Sequence, residues 1–508
     1  MLPPQNSECG KIDNSSIYAA IDLGSNSFHL LIVRNTNCGI QTLDKLKKKV
    51  RLAAGLDESG YLSEESMERG WQCLALFAER LQGIPPHRIR VVATAALRTA
   101  KNAQRFISVA LERLNVSISI DIICGEEEAR LIYQGVNHTT GGDPKRLVVD
   151  IGGASTELIA GDGDSINNLV SLPMGCVTWL ERYFANRSLS ADNFHQAETA
   201  ARELLSQIAE RLISCSWKTC VGASGTVQAL QEIMVAQGMD EAITLDKLLQ
   251  LKEQAIQCGK LEELEIEGLT LERALVFPSG LAILIAVFDT LKVDSMVLSG
   301  GALREGLVYS MLPIPPDRNV RQRTVRMLQS LYRVDCQQAD FVSQCASALR
   351  AQLQSSWHLD DNVQEMLFWA CQLYEVGLSI EFKNANQHAA YLVSHIDMPG
   401  FTPAQKKLLA ALLINQSHPL DLQALSQQNA LPAHQAIQIV RLLRIAILFC
   451  RARHPATTLN VSLFADGDRL QLSIDSNDLK NRPLLAESLL QESRWQTNCR
   501  LPFSIQAK

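Results

Sequence analysis

One pattern constrains this chain more than any other, because it occurs twice. An apolar strand beginning at Ile17 runs into Asp22-Leu23-Gly24-Ser25-Asn26-Ser27 and continues as a second apolar strand, Phe28 to Val33. At Leu147 to Val149 the same unit returns: a strand, then Asp150-Ile151-Gly152-Gly153-Ala154-Ser155-Thr156, then a strand from Glu157 to Ala160. The two aspartates are 128 positions apart. A repeat at that distance predicts two similar α/β domains facing one another across a cleft. Two further turns, Gly222-Ala223-Ser224-Gly225-Thr226 and Ser299-Gly300-Gly301-Ala302, each follow an apolar strand and precede a helix.

A strand ending in Asp-x-Gly and turning through Ser, Asn or Thr aims consecutive backbone N–H groups at one point, and such a nest binds phosphate oxygens. Glycine is expected there because a Cβ would block the anion. A single copy is an ordinary strand terminus far more often than a phosphate site; two copies on duplicated domains reverse that preference. No GxxxxGK[ST] occurs, so the phosphate cleft is not a P-loop. Between the turns lies Gly125-Glu126-Glu127-Glu128-Ala129-Arg130, where a strand enters a helix. Its carboxylates either complement the helix macrodipole or place one base, Glu128 or next Glu127, in the cleft to take a proton from attacking water.

The rest of the 508 residues divides by composition. Lys45 to Leu52 is a basic strand whose alternation predicts one face for Lys47, Lys49 and Arg51. Ser63 opens a long amphipathic helix ending near Leu81, and Ile89 to Ala93 and Val116 to Cys124 are expected strands. Past Pro313-Ile314-Pro315-Pro316 the chain is helical to about Arg451, then alternates around Asp466-Gly467-Asp468 as a hairpin followed by a helix and a last strand. The expected domains are 14–133, 134–312, an all-α unit at 317–455 and a small α+β unit at 456–508. Lys plus Arg number 48 and Asp plus Glu 54, which does not advertise a nucleic-acid or membrane-surface protein. The longest unbroken apolar runs, such as Leu281 to Phe288, fall well short of the ~20 residues of a bilayer-spanning helix. The polar start of the chain lacks a secretory pattern, so a cytoplasmic location is expected. Thirteen scattered cysteines without metal-ligand spacing read as reduced thiols.

Several segments together resemble the exopolyphosphatase and guanosine pentaphosphate phosphohydrolase family. They are Tyr18 to His29, Ala93-Thr-Ala-Ala-Leu-Arg98, Gly125 to Ile132, Val148 to Glu157, Met174-Gly-Cys-Val-Thr178 and Leu298 to Ala302. The resemblance implies two domains of the actin, sugar-kinase and heat-shock-ATPase (ribonuclease H-like) fold, an all-α, degenerate HD-like domain and a small α+β domain. It leans to the pentaphosphate phosphohydrolase branch, through Gly152-Gly-Ala-Ser155 and Met174 to Arg182. The implied reaction is removal of the terminal 5′-phosphate of pppGpp to give ppGpp, with release of phosphate from inorganic polyphosphate as the alternative and a non-catalytic alarmone sensor as the reading from another class. Carried over by position, Glu128 is the base and Asp150 and Glu157 hold Mg²⁺. Asp22, Gly24, Ser25, Asn26, Arg98, Gly152, Gly153, Ala154 and Ser155 bind phosphate. Lys47, Lys49 and Arg51, with Arg318 and Arg326 from the helical segment, would extend the path of a polyanion. The family also implies a homodimer. In the helical region no His-Asp pair stands at Leu373 to Gly377, so His388 and His395 read as structural.

Overall fold

The computed structural model describes residues 16–36, 39–313, 319–453 and 461–507, in two compact units that meet at Val320/Arg321. In the first unit, β1 (Ile17–Leu23), β2 (Ser27–Thr36), β3 (Gly39–Lys49), β4 (Ile89–Ala93) and β5 (Ile120–Ile122) form a sheet in the order β3-β2-β1-β4-β5. The second copy repeats it. There β6 (Lys145–Ile151), β7 (Thr156–Asp162), β8 (Ser165–Leu172), β9 (Thr219–Gly222) and β10 (Met296–Leu298) are ordered β8-β7-β6-β9-β10, strand for strand the same topology. In each sheet the first three strands are antiparallel and the rest parallel. These are the two similar α/β halves that the sequence repeat predicted, in the actin-like architecture that the family resemblance implied.

Period-2 alternation decides what faces the cleft. On β1, Ala19, Ile21 and Leu23 pack into one core, while Ala20 packs into the cluster between the sheets; Asp22 has Ala20's parity. On β6, Leu147, Val149 and Ile151 face outward and Val148 inward, and Asp150 has Val148's parity. Both aspartates therefore end their strands on the inner faces, at the carboxyl ends of the parallel segments, where ligands of open α/β sheets bind.

Two helices fill the space between the sheets, Gly125–Thr139 and Leu303–Ser310. They cross closely: a Cβ at Gly135 would run into the Ala302 carbonyl, and one at Gly306 into that of Leu131. The expected boundary at 133/134 thus falls inside a helix that serves both halves. Ser63 caps the helix Glu64–Leu81, its side chain accepting from the Ser66 N–H. The expected strand Val116 to Cys124 shrinks to Ile120–Ile122, the only stretch that pairs with β4. Arg51 is a second correction. β3 ends at Lys49, and Arg51 turns away at φ 52° with its N–H on the Asn26 carbonyl at 2.8 Å, so it does not continue the face of Lys47 and Lys49.

The second unit is helical between Val320–Leu331 and Ala433–Cys450, followed by β11 (Val461–Asp466), β12 (Arg469–Ile474), the helix Pro483–Asn498 and β13 (Phe503–Ala507). The last segment has no core of its own, contrary to the small domain expected at 456–508: Leu463, Leu470, Leu489 and Phe503 belong to the same cluster as the helices. Two buried arginines of the helix Ala433–Cys450 fasten it. Arg444 forks onto the Glu492 carboxylate through two 2.7 Å bonds, and Arg441 donates to Gln496, to the Asp468 carbonyl and to that of Pro502. This 18-residue helix is apolar and long enough to cross a membrane, but 72% of it is buried inside the unit. Arg321 is also buried, bonded to the Gly400 carbonyl, Glu365 and Gln405. His388 faces Glu381 at 3.4 Å and His395 bonds the Tyr391 carbonyl at 2.8 Å, both structural contacts.

Candidate active site

The two Asp-x-Gly turns face one another across a cleft in the first unit. A Cβ on Gly153 would stand 3.3 Å from Ser25 Cβ and 3.7 Å from Asn26 Cβ, which measures how closely the turns approach. The glycines are required for space and not for dihedral angle. A Cβ on Gly24 would lie 2.9 Å from the Ser27 carbonyl and one on Gly152 3.0 Å from that of Ser155. A Cβ is therefore obstructed within each turn or against the opposite turn. Among the described residues the backbone N–H groups of Ser25, Asn26, Gly153 and Ala154 find no acceptor, as a nest awaiting an anion requires. The second turn is fixed from behind by the helix Cys176–Tyr183, whose Cys176 and Val177 N–H groups bond the Gly152 and Gly153 carbonyls at 2.9 and 2.8 Å.

Helical phase selects one of the three glutamates. On Gly125–Thr139 the buried face carries Glu128, Ile132, Gly135, Val136 and Thr139, and Glu128 and Ile132 line the cleft. Glu127, about 100° away around the helix, pairs instead with Arg90 at 3.9 Å and Arg130 at 3.4 Å, and does not reach the cleft. Arg98 does not line the cleft either. Its Nη1 donates to Glu128 Oε2 at 3.1 Å and to the Ile123 carbonyl at 2.8 Å, so it braces the glutamate. Gly125 lets this helix approach β8 closely, where Ser171 donates to Glu157 Oε1 at 2.7 Å.

Asp22, Glu128, Asp150 and Glu157 all line the cleft. Burial, and then the Glu128 charge, push Asp22 and Asp150 each up to about 7. Glu128 is raised by burial, against the lowering pull of Arg98. Glu157 is raised by burial and by Glu128 and Asp150. His29, paired across the sheet with Asp22, is driven down to about 3 by burial and by Arg304, Lys47 and Lys45, and so is neutral. Its Nδ1 stands 3.7 Å from Asp22 Oδ2, too far to satisfy it; Asp22 Oδ1 and His29 Nε2 are buried without partners.

Ser25, Asn26, Gly24, Gly152, Gly153, Ala154, Ser155, Lys47 and Lys49 line the cleft as expected from the sequence; Arg51 does not. Arg318 lies outside the described residues, and Arg326 is an exposed residue of the second unit. Sequence reasoning missed Arg304. It follows the Gly300-Gly301-Ala302 turn, lines the cleft, acts on Asp22, Asp150 and His29, and makes no hydrogen bond or ion pair among the described residues. Thr94, Thr226 and Arg273 were missed as well. For Thr94 and Thr226 the signal was available, since each lies at a strand-to-helix turn; Arg273, in the short helix Leu271–Ala274, carried none.

Duplicated actin-like halves, with opposed phosphate turns and a buried glutamate between them, define an enzyme that works on phosphate groups. The Ppx/GppA phosphatase family matches residues 31–314, and its domain III matches residues 320–493. The chain belongs to that family, whose members are phosphatases acting on phosphoanhydrides. Among solved structures, an exopolyphosphatase from Cytophaga hutchinsonii is 25% identical with a TM-score of 0.52, covering 58% of this chain and 97% of that one. The PPX-GPPA enzyme of Aquifex aeolicus is 24% identical with a TM-score of 0.50, covering 58% and 99%, and shares the fold.

Proposed function

We propose that this phosphatase removes the terminal 5′-phosphate of pppGpp, giving ppGpp and inorganic phosphate. The observation that carries a hydrolytic reading is Glu128: a buried carboxylate, held by Arg98, between two facing phosphate turns. Its raised proton affinity suits a base that takes a proton from water as the water oxygen attacks the terminal phosphorus. The anhydride P–O bond then breaks, and its electron pair leaves with the ppGpp oxygen. The nests position the phosphoryl oxygens and Arg304 opposes their charge, which is most of what phosphoryl transfer asks of a protein. A pocket that merely sensed an anion would gain nothing from Asp22, Glu128, Asp150 and Glu157 together.

The residues also fit Mg²⁺. Asp22 Oδ1 is buried without a partner, and the carboxylates repel one another in a way that a hard cation relieves. A cation of this kind is bound through one or two carboxylates plus water and phosphate oxygens. Asp150 would hold it together with Glu157 or Asp22; Glu157 Oε1 also accepts from Ser171, which orients that carboxylate. When bound, Mg²⁺ supplies neutralisation of phosphate charge.

The pppGpp preference rests on Gly152-Gly-Ala-Ser155 and the Met174 to Arg182 segment, which resemble that branch. Lys47 and Lys49 at the cleft favour polyphosphate as a second substrate. Phosphate release with Mg²⁺ from pppGpp, long-chain polyphosphate and ATP in parallel tests the reading. The expected order of kcat/KM places pppGpp first. Polyphosphate first would make the chain an exopolyphosphatase, and no release from any substrate would overturn hydrolysis altogether.

A further inference from the structure

Three buried thiols gather in the core of the second unit. Cys345 belongs to the helix Cys336–Trp357, Cys371 to the helix Asp361–Leu373, and Cys450 closes the helix Ala433–Cys450. Two ties at opposite ends set the first and last of these helices antiparallel. At one end the Arg441 guanidinium lies over the Trp357 ring, 5.8 Å from its centroid. At the other, Gln338 Nε2 donates to the Cys450 carbonyl at 2.9 Å and to Tyr374 Oη at 3.0 Å, and Arg453 pairs with Asp335 at 2.9 Å. Cys345 stands seven residues beyond Gln338, about two turns further along the same face. A helical Cβ tilts toward the N-terminus of its own helix, so in this antiparallel pair the Cys450 side chain leans away from Gln338 in the direction of Cys345. There the two thiols share a hydrogen bond, which holds Cys345 protonated and draws Cys450 below the usual thiol range. Cys371 stands outside that bond, and burial and then the Cys450 charge raise it.

A cysteine used only to fill space needs no second sulfur beside it. Two thiols held in contact, one of them favoured as thiolate, are what disulfide formation requires. Access comes from the helix end: Arg451, Ala452 and Arg453 after Cys450 are exposed, and helix ends open more readily than helix interiors. We infer that Cys345 and Cys450 form an oxidation site, which a peroxide converts to a disulfide that staples the helix Cys336–Trp357 to the end of the helix Ala433–Cys450. In the first step the Cys450 thiolate attacks a peroxide oxygen, the O–O bond breaks, and the departing hydroxide takes up the Cys450 proton as water. The Cys345 sulfur then attacks the Cys450 sulfenic acid; the S–O bond breaks, and the hydroxyl leaves with the Cys345 proton as a second water. Two thiols thus give two electrons and two hydrogens to one hydrogen peroxide. The bond closes a ring of 105 residues (450 − 345). Because Arg441 and Arg444 of the same helix already hold the terminal segment, the staple fixes that segment to the helix Cys336–Trp357 as well.

The test exposes the whole reduced protein, folded in native buffer, to excess hydrogen peroxide, blocks the remaining thiols and maps tryptic peptides without reductant. Cys336 and Cys345 share the peptide 334–350, and Cys450 lies in 445–451, so fragment spectra place the bond. The expected result is a link through Cys345, lighter by two hydrogens, reversed by dithiothreitol and accompanied by the loss of two titratable thiols. Tm should rise by about 5 to 10 °C, below the limit that loop closure sets for a ring of this size. Cys336→Ala should keep the link, while Cys345→Ala and Cys450→Ala should lose both the link and the gain in Tm. The wild-type map decides the matter even where a variant fails to fold. A bond through Cys336 or Cys371, over-oxidised Cys450 without a link, intact thiols, a link formed only in denaturant, or a link that lowers Tm would each overturn the assignment.

Discussion

Replacing Glu128 by Gln separates chemistry from architecture more cleanly than any other single change. The amide keeps the size of the side chain, and its oxygen can still accept from Arg98 Nη1, which also holds the Ile123 carbonyl at 2.8 Å. What it loses is the ability to take a proton. A positioned general base contributes roughly 10²- to 10⁴-fold, equivalent to about 2.7 to 5.5 kcal/mol of barrier, so kcat should fall by that factor with KM little changed. Stability should move the other way. Glu128 raises Asp22, Asp150 and Glu157 by its charge, so removing that charge relieves all three, and each ~1 kcal/mol recovered raises Tm by roughly 2–4 °C for a domain of this size. Phosphate-release kinetics and a thermal melt at pH 8 without metal form the assay. Near wild-type turnover would remove Glu128 from the base role. Lost activity with a lowered Tm would show it to be a structural residue, and the argument from the buried carboxylates would fail.

Three further outcomes follow from the same geometry. Arg98→Met removes the group that lowers Glu128; because the base works deprotonated, the acid limb of the kcat/KM profile should move to higher pH, and an unmoved limb would mean that Arg98 does not act through Glu128. Arg304→Met should lower kcat/KM for every phosphoanhydride tried by roughly 10- to 100-fold, the value of a hydrogen bond to a charged group, and a loss confined to one substrate would contradict a role on the reacting phosphate. Asp22 and Asp150 are raised from 3.8 to about 7, so the folded protein binds protons that the unfolded chain releases. Metal-free stability is then greatest below pH 4 as far as these groups are concerned and is lost as pH rises to 7, at an upper bound of about 4 kcal/mol for each. Denaturant melts should show that fall and should show it reduced by Mg²⁺, whereas Asp150→Asn should flatten it; a pH-independent difference between wild type and Asp150→Asn would refute the assignment.

The duplicated fold was legible because both of its signals are local. Strand alternation fixes the inner face, and each Asp-x-Gly turn sits where that alternation ends. Apart from the family resemblance, Glu128 is told from Glu127 by helical phase against a buried face, and that face exists because two helices cross at Gly135 and Gly306, residues 171 positions apart in the chain. Arg304 was passed over for a related reason. It lies just beyond a glycine turn remote in sequence from both phosphate turns, and only the return of its helix to β1 and β2 brings it beside Asp22. Arg98 shows a different limit, since position in a motif says that an arginine is near the site but not that it bonds the Glu128 carboxylate. At the end of the chain, hydropathy alternation showed the hairpin but could not show that Arg441 ties its turn, and Arg444 the following helix, to the helical core.

The cost of this site explains its architecture. One half contributes Asp22 and Glu128, the other Asp150 and Glu157, and neither half alone gathers all four carboxylates. Each sheet by itself would bury a strand-end aspartate beside a glycine turn, an arrangement common in ordinary proteins. Bringing the two inner faces together makes the charges repel across the cleft, visible in Asp150 raising Asp22 and in Glu128 raising both. The repulsion is opposed by apolar packing: Val148, Ile159 and Val221 from one sheet and Ala20, Leu31 and Val92 from the other pack against the crossing helices. A polyanion alone would be repelled by such a cleft, so productive binding has to bring positive charge with it or find it at Arg304, Lys47 and Lys49. In the proposed mechanism the buried charge that would make Glu128 a strong base would also make the cleft a poor receptor for a phosphate that arrives unneutralised, so phosphate release should depend on added cation.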